Sequence, residues 1–579
     1  MDNLEINKKD VIHLLETISV YLELKGENPF KVGAFRKAAA ALEMDQRSLS
    51  EMDDFKGISG IGKGTTAVIQ EFLQQGRSSV LDELKEEVPK GLIPLLKLPG
   101  LGGKKISKLY QELGIEDISD LEDACKAGQV QSLAGFGKKT EEKILQSISN
   151  AGTRPERLPI AYMLPIAEKL EKQIGAMSNI TRFSRAGSLR RMRETVKDLD
   201  FIIATENPTA VREQLLALPN IKEIIGAGDT KVSLTFAFDY DISADFRLVQ
   251  PEEFATALHH FTGSKEHNVR MRQLAKERGE KISEYGVEIS ETGEILTFSS
   301  EKEFYNHFGL PFFPPEIRED GSEVDAYTDN EKLIYMEDIK GDLHMHSTWS
   351  DGAHSIEEMA KACMARGYQY MAITDHSQFL KVANGLTPER LLKQREEIQK
   401  LNEKYENFTI LAGVEMDILP DGTLDYDDEL LKGMDIVIAS IHSGFSQPRE
   451  KIMERLKTAL ESVHVDIIAH PTGRLIGRRE GYDVDIDMLI ELAKETNTAL
   501  ELNANPNRLD LAHEHLRKAQ DAGIKVVINT DAHKIDMLTH MEIGTAAARK
   551  GWIKRSSVLN AYEKNELLAF LHMRHERTN

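Results

Sequence analysis

Cysteine is nearly missing from this sequence. Its 579 residues hold only Cys125 and Cys363, too few for a disulfide framework or a thiolate metal site and suited to a reducing compartment. Long apolar runs are missing too. No stretch approaches the ~20 residues that span a bilayer. The opening MDNLEINKKDVIHLLE carries charges inside an amphipathic helix pattern, where a signal peptide would have an apolar core. Together these absences predict a cytoplasmic protein with no membrane partner. Positive charge is in deficit, since 73 Lys plus Arg against 95 Asp plus Glu give −22, a balance that looks wrong for binding nucleic acid. The deficit is local, however: about −8 in 301–350, about −8 in 401–450 and roughly +4 in 151–200. Most of the acidity lies where bound cations or a linker would absorb it, so DNA is not excluded as a partner. The length exceeds a single core and predicts about two to four domains.

What is present in abundance is histidine and carboxylate at the ends of apolar runs. MAITDH, LAGVE, VIASIH, DIIAH and VVINTDAH each read as a buried strand ending in a ligand, and DLHMHSTWSDG precedes them. They bring His344, His346, Asp351, His376, Glu415, His442, His470, Asp531 and His533 to successive strand tips. The tips of an α/β barrel converge on one pocket, and so many imidazoles and carboxylates exceed the coordination number of one ion. A cluster of two or three metals follows. These strings resemble the metal-ligand motifs of the PHP (polymerase and histidinol phosphatase) family over about 340–579. That resemblance implies a distorted (βα)7 barrel holding three ions, Mn²⁺ or Zn²⁺, that hydrolyses phosphoesters. The arginines of HPTGRLIGRRE, Arg474, Arg478 and Arg479, follow a ligand strand as candidate phosphate guides.

The first 150 residues repeat a Gly-turn-helix pattern: GISGIGKGT (57–65), LPGLGGKKI (98–106) and LAGFGKKTEEKI (133–144). The pairs Gly60 and Gly62, Gly100 and Gly102, and Gly135 and Gly137 allow tight turns whose following helix N–H groups can hold a DNA phosphate. Each resembles a helix-hairpin-helix. Farther on, GSLRRMRETVKDLDFII (187–203) places Asp198 and Asp200 on one side of a strand with Leu199 on the other. Two carboxylates so spaced can bridge two Mg²⁺ ions, and Gly187 and Ser188 opening a helix beside Arg190 and Arg191 suit a triphosphate.

Joined to that G-S-x-R-R string, the D-x-D resembles the nucleotidyltransferase palm of family X DNA polymerases. The resemblance implies Asp245 in SADFRLV as the third carboxylate, and a β/γ-phosphate role for Ser188 and Arg191. It reads HHFTGSKEHNVRMR (259–272) as a thumb in which Phe261 and Gly263 line the sugar, Asn268 reaches the nascent pair and Arg272 lies near the template. NPFKVGAFRKAAAAL (28–42) resembles the small domain that holds a 5′-phosphate, with Lys31 and Arg36 as contacts. Val68 stands where lyase-active relatives carry a Schiff-base lysine, Gly64 replaces a neighbouring basic residue, and His260 takes the usual Tyr position.

The segments divide into a helical DNA-end-binding domain (1–90), helix-hairpin-helix fingers (91–150), an α+β palm (151–243), a thumb (244–318), a flexible acidic crossing (319–339) and the PHP barrel (340–579). The combination resembles bacterial and archaeal family X polymerases with a C-terminal PHP domain. It implies gap filling in base excision repair on gapped or primer–template DNA with dNTPs, a 3′→5′ exonuclease, cleavage at abasic sites, and a monomer. The alternatives are a DNA-binding small-molecule phosphoesterase with a degenerate palm, against which Asp198, Asp200 and Asp245 speak, and a non-catalytic scaffold, against which the complete ligand sets of both sites speak.

Overall fold

The computed structural model describes residues 6–575 except 46, 48, 50, 51, 53, 54, 56, 97, 99, 100, 152–154 and 331. Helix Lys8–Lys25 starts at a reciprocal cap between Asn7 and Asp10 and stops at Gly26, φ +80°. Its Val11, Leu15, Ile18 and Leu22 close a small core with Phe35, Ala38 and Leu42 of helix Pro29–Met44. Helices Gly103–Leu113, Ile118–Lys126 and Lys138–Ala151 form a second core around Leu109 and Leu121. The hairpin glycines explain the repeat. Gly60 and Gly135 take φ +107° and +93°, open to glycine and closed to most side chains. Gly62 and Gly102 cap helices Lys63–Gln75 and Gly103–Leu113, and Gly137 directly precedes Lys138–Ala151. Gly100 lies outside the described residues.

The palm is a five-stranded sheet in the spatial order Arg182–Arg185, Leu199–Ala204, Asp241–Val249, Lys231–Ala237, Ile221–Ala227. Ile242, Ala244, Phe246 and Leu248 are buried on one face of Asp241–Val249, so Asp245 and Arg247 share the other. This strand is bonded into the sheet on both sides. The palm therefore runs through Val249, which corrects the boundary expected at 243. The thumb follows with helices Phe254–Thr262, Lys265–Glu277 and Glu301–His307.

Seven parallel strands, Gly341–Asp342, Tyr370–Ile373, Thr409–Asp417, Ile436–Ser440, Ile467–Ile468, Ala499–Asn503 and Val526–Asn529, neighbour one another in sequence order. A parallel bridge from Met345 to Ala532 joins last to first. This is the expected seven-stranded barrel, distorted in that two strands are only two residues long. Helices cover the outside, so the strands are buried on both faces and read as unbroken apolar runs.

The crossing expected to be flexible is packed. Ile317 and Val324 join the thumb core. Arg318 is fully buried, 2.7 Å from Glu301, and Glu316 pairs with Arg549 of the barrel at 2.6 Å. Acidic residues that read as a solvated run are neutralised by basic partners far along the chain. Palm and barrel share one continuous apolar cluster, with Met192 beside Leu509, Leu511 and Ala547. Arg474 closes the seam on Glu194 at 2.6 Å.

Candidate active sites

In the palm, Asp200 and Asp245 are partners across adjacent parallel strands, and Asp198 precedes its strand by one residue. Gly187 (φ +60°) lies so close that a Cβ there would fall 2.1 Å from Asp200 Oδ2. Burial, then the neighbouring Asp245 and Asp198, push the Asp200 carboxyl up to about 6. Lys231, 2.7 Å from Asp245 Oδ2, offsets part of this charge, and Ser233 donates to Asp245 Oδ1 at 2.7 Å. The surplus of negative oxygen fits divalent cations.

The two arginines of the GSLRR string part company. Arg190 is committed to the thumb, bonded to Thr262 Oγ1 at 2.6 Å and paired with Glu301 at 2.6 Å, so it is not the counter-charge its position suggested. Arg191 donates to the Thr262 carbonyl and, at 3.4 Å, to Glu319. It borders Gly263, where a Cβ would meet its guanidinium at 3.2 Å. Ser188 lies in the single turn Gly187–Arg190. Phe261 faces the Arg247 guanidinium at 4.5 Å, and both line a cavity of about 330 Å³. Asn268 donates to the His260 carbonyl at 2.7 Å while its buried Oδ1 has no hydrogen-bond partner, and Arg272 donates to the Asn268 carbonyl at 3.1 Å. Arg247 was missed from sequence; strand alternation from Asp245 was the available signal.

In the barrel the nine expected ligands share one pocket, with Glu415 at its centre. Its oxygens lie 2.9 Å from His376, 3.0 Å from His470, 3.3 Å from His442, 3.4 Å from His344 and 3.5 Å from His346. Burial would raise the Glu415 carboxyl, but His442, His376 and His344 outweigh it and hold it well below the usual range. Burial, then His533 and His376, push His346 down to about 3. A neutral imidazole keeps the lone pair that a metal requires. His344 Nε2, both ring nitrogens of His346 and Glu415 Oε2 are buried without hydrogen-bond partners, a cost that coordination would remove. Three groupings offer ligand atoms within 4.8 Å of one another: His346, Asp351, His376 and His533; His344, His346 and Asp531; His376, Glu415 and His442. His470 joins through Glu415.

Outer partners orient this set. Glu501, fully buried, meets His344 Nδ1 at 2.8 Å and accepts from the His470 N–H at 2.7 Å, and Asp417 lies 3.3 Å from His442 Nδ1. Neither was found from sequence, because an acid inside a strand with no His beside it looks like surface alternation. Of the three loop arginines, Arg474 is taken by Glu194 and Arg479 lies over the Phe445 ring at 4.2 Å. Only Arg478 of the three is exposed.

At the other end of the chain, Lys31 pairs with Glu27 at 3.4 Å and Arg36 with Glu23 at 2.9 Å. The groove at the first hairpin is lined instead by Lys37 and Arg47 beside Gly57–Gly60. Val68 is buried in the core of this unit.

Known proteins match this layout segment by segment. Residues 6–78 match the profile of a helix-hairpin-helix domain, 92–150 a SAM-like helix-hairpin-helix tandem, 257–319 the DNA polymerase beta thumb and 342–505 the PHP domain. The chain is 67% identical over 566 residues, 98% of its length and 99% of the relative's, to the DNA polymerase/3′-5′ exonuclease PolX of Bacillus subtilis (strain 168). It is 30% identical over 230 residues, 38% of this chain and 89% of the relative, to a probable phosphatase of Thermoanaerobacter sp. (strain X514). It is also 24% identical over 346 residues, 55% of this chain and 56% of the relative, to DNA polymerase lambda of Rattus norvegicus. The chain thus belongs to the family X DNA polymerases that carry a C-terminal PHP domain, the family of the Bacillus PolX protein.

Proposed function

We propose that the chain is a monomeric DNA-directed DNA polymerase that fills gaps in base excision repair and carries its own metal-dependent 3′→5′ exonuclease, with abasic-site cleavage as a further reaction of the barrel. The observation that carries this reading is the register pairing of Asp200 with Asp245, with the backbone of Gly187 held against Asp200. A primer-extension assay on gapped DNA tests it: the primer lengthens with dNTPs and shortens without them, and a primer that does neither overturns the reading.

Asp198, Asp200 and Asp245 would hold two Mg²⁺ ions, which supply charge neutralisation at the triphosphate and the primer oxygen. Asp245 draws the proton from the primer 3′-hydroxyl, whose oxygen attacks the α-phosphorus as pyrophosphate leaves. Ser188 and Arg191 bind the β/γ-phosphates and stabilise the leaving charge. Phe261 and Gly263 line the sugar, Asn268 meets the nascent pair and Arg272 the template strand. Because Gly187 leaves no space before Asp200, Gly187→Ala should displace that carboxylate and slow extension at least ~100-fold, with exonuclease rate unchanged in the same preparation.

In the barrel, the three groupings would hold Mn²⁺ or Zn²⁺, which activate water and neutralise the scissile phosphate. Glu501 and Asp417 fix the ring orientations of His344 and His442, and exposed Arg478 guides the phosphate of the 3′ end. At the 5′ side of a gap, Lys37 with the first hairpin grips the phosphate more directly than Lys31 or Arg36. Gap filling should therefore run faster on 5′-phosphate than on 5′-hydroxyl DNA at low salt, with the advantage shrinking as salt rises. Lys37→Ala should remove most of that advantage, and equal rates for the two substrates with the unaltered chain would refute the grip. With Val68 buried, borohydride should trap no adduct on this domain.

A further inference from the structure

The seam between barrel and palm does more than join them. Glu319, on the crossing, is shared by three cations. Its Oε1 lies 2.6 Å from Lys550 Nζ and 3.4 Å from Arg191 Nε, and its Oε2 lies 2.8 Å from Arg193. Lys550 comes from the barrel helix His540–Lys550. Its side chain is only 4% exposed, and the same Nζ also donates to the Arg191 carbonyl at 3.3 Å. A barrel residue therefore touches, directly and through one carboxylate, the arginine assigned above to the triphosphate.

We propose that Lys550 is a positioning residue for nucleotide binding, drawing Glu319 off Arg191 so that the guanidinium can exchange its weak carboxylate contact for the phosphates of an incoming dNTP. The distances set the direction. Glu319 Oε1 is 2.6 Å from Lys550 Nζ and 3.4 Å from Arg191 Nε, so Arg191 gives up only the longer of these contacts when a phosphate replaces the carboxylate, while its Nη1 stays on the Thr262 carbonyl. Burial favours the arrangement, because an ammonium out of water needs a lasting anionic partner, and Glu319 remains beside Lys550 after Arg191 has turned to the nucleotide. Without the lysine, Glu319 would close fully on Arg191 and compete with the triphosphate. Docking itself does not depend on Lys550. Arg474 with Glu194 joins barrel to palm and Arg549 with Glu316 joins barrel to thumb without Lys550.

The inference rests on Arg191 as a triphosphate ligand, and single-nucleotide insertion by the full chain on gapped DNA tests the two separately. Lys550→Met should raise the KM for dNTP by about tenfold, the worth of one strengthened ion pair, with kcat within about twofold. Lys550→Arg should stay near the unaltered value. Lys550→Met combined with Glu319→Gln should return KM to normal, which a loosened seam would not do. Exonuclease activity in each preparation reports the fold. An unchanged KM in Lys550→Met, or one equally raised in the double variant, overturns the proposal. If Lys550→Met does not fold, Lys550→Gln takes its place: a raised KM that added Glu319→Gln reverses supports competition for Arg191, and an unchanged KM, or one that stays raised in the double variant, refutes it. Arg191→Ala is the reference arm. If it leaves KM unchanged, the assignment of Arg191 falls first; if it raises KM while the Lys550 and Glu319 variants do nothing, only the coupling falls.

Discussion

Asp198→Ala combined with Asp200→Ala should abolish primer extension, lowering it by at least about a thousandfold, or ~4 kcal/mol of barrier, while degradation of a single-stranded 3′ end stays within about twofold. In the proposed reaction the triphosphate is anionic and the primer oxygen gains negative charge as it loses its proton, and cations held by these carboxylates would offset both charges. Stability should not suffer. Asp200 is a half-buried acid beside two like charges, raised to about 6 by desolvation and by Asp245 and Asp198, so an apolar replacement relieves repulsion. Thermal melting of the double variant should therefore match or exceed that of the unaltered chain. Extension at a near-normal rate would remove the polymerase assignment from this sheet. A collapse of melting temperature would show instead that the carboxylates serve the fold.

Glu415→Gln should have the mirror effect. The substitution keeps the shape of the side chain but removes the charge at the point where His344, His346, His376, His442 and His470 converge. Metal content should fall by at least one ion per chain, and 3′ degradation should drop about a thousandfold or more. His344→Ala with His346→Ala should give the same result by removing two nitrogens that no neighbouring carboxylate can replace. In both variants extension on gapped DNA should persist, since the palm carboxylates are untouched. Elemental analysis and paired activity assays make the check. Full exonuclease with reduced metal would place the nuclease elsewhere.

The parts of the chain legible from sequence were those in which a local pattern carried the chemistry. Strand-end ligands such as His376 and Asp531 stood out because an apolar run broke at a residue that a core does not otherwise keep. Asp198 and Asp200 were legible through strand alternation and a neighbouring glycine turn, and Asp245 through the resemblance to the family X palm. Glu501 and Asp417 were not, since their meaning lies in the imidazoles facing them across the barrel. Lys37, which lines the groove at the first hairpin, did not stand out beside Lys31 and Arg36 because helical spacing does not reveal which basic residue meets a hairpin whose glycine packs onto the helix. The crossing was misjudged for a charge reason. Glu316, Glu319 and Glu323 look like solvent-facing acids, yet Arg549 and Lys550 neutralise the first two from 233 and 231 residues away and His267 hydrogen-bonds the third from 56 away, and no local window holds both members of such a pair.

The apolar seam around Met192 also bears on how the protein is made. Leu509, Leu511 and Ala547, which share one buried apolar cluster with Met192, lie more than 300 residues downstream of it. At ~5–20 residues per second on the ribosome, that surface would stay bare for roughly 15–60 s. The palm side of this seam is thus made before the barrel residues that pack with it. Nascent chains stalled before residue 509 should be retained by chaperones and cut by proteases near Met192, whereas completed chains resist both. Truncations that remove the barrel to isolate the polymerase would then fail first as aggregation, before any question of catalysis arises.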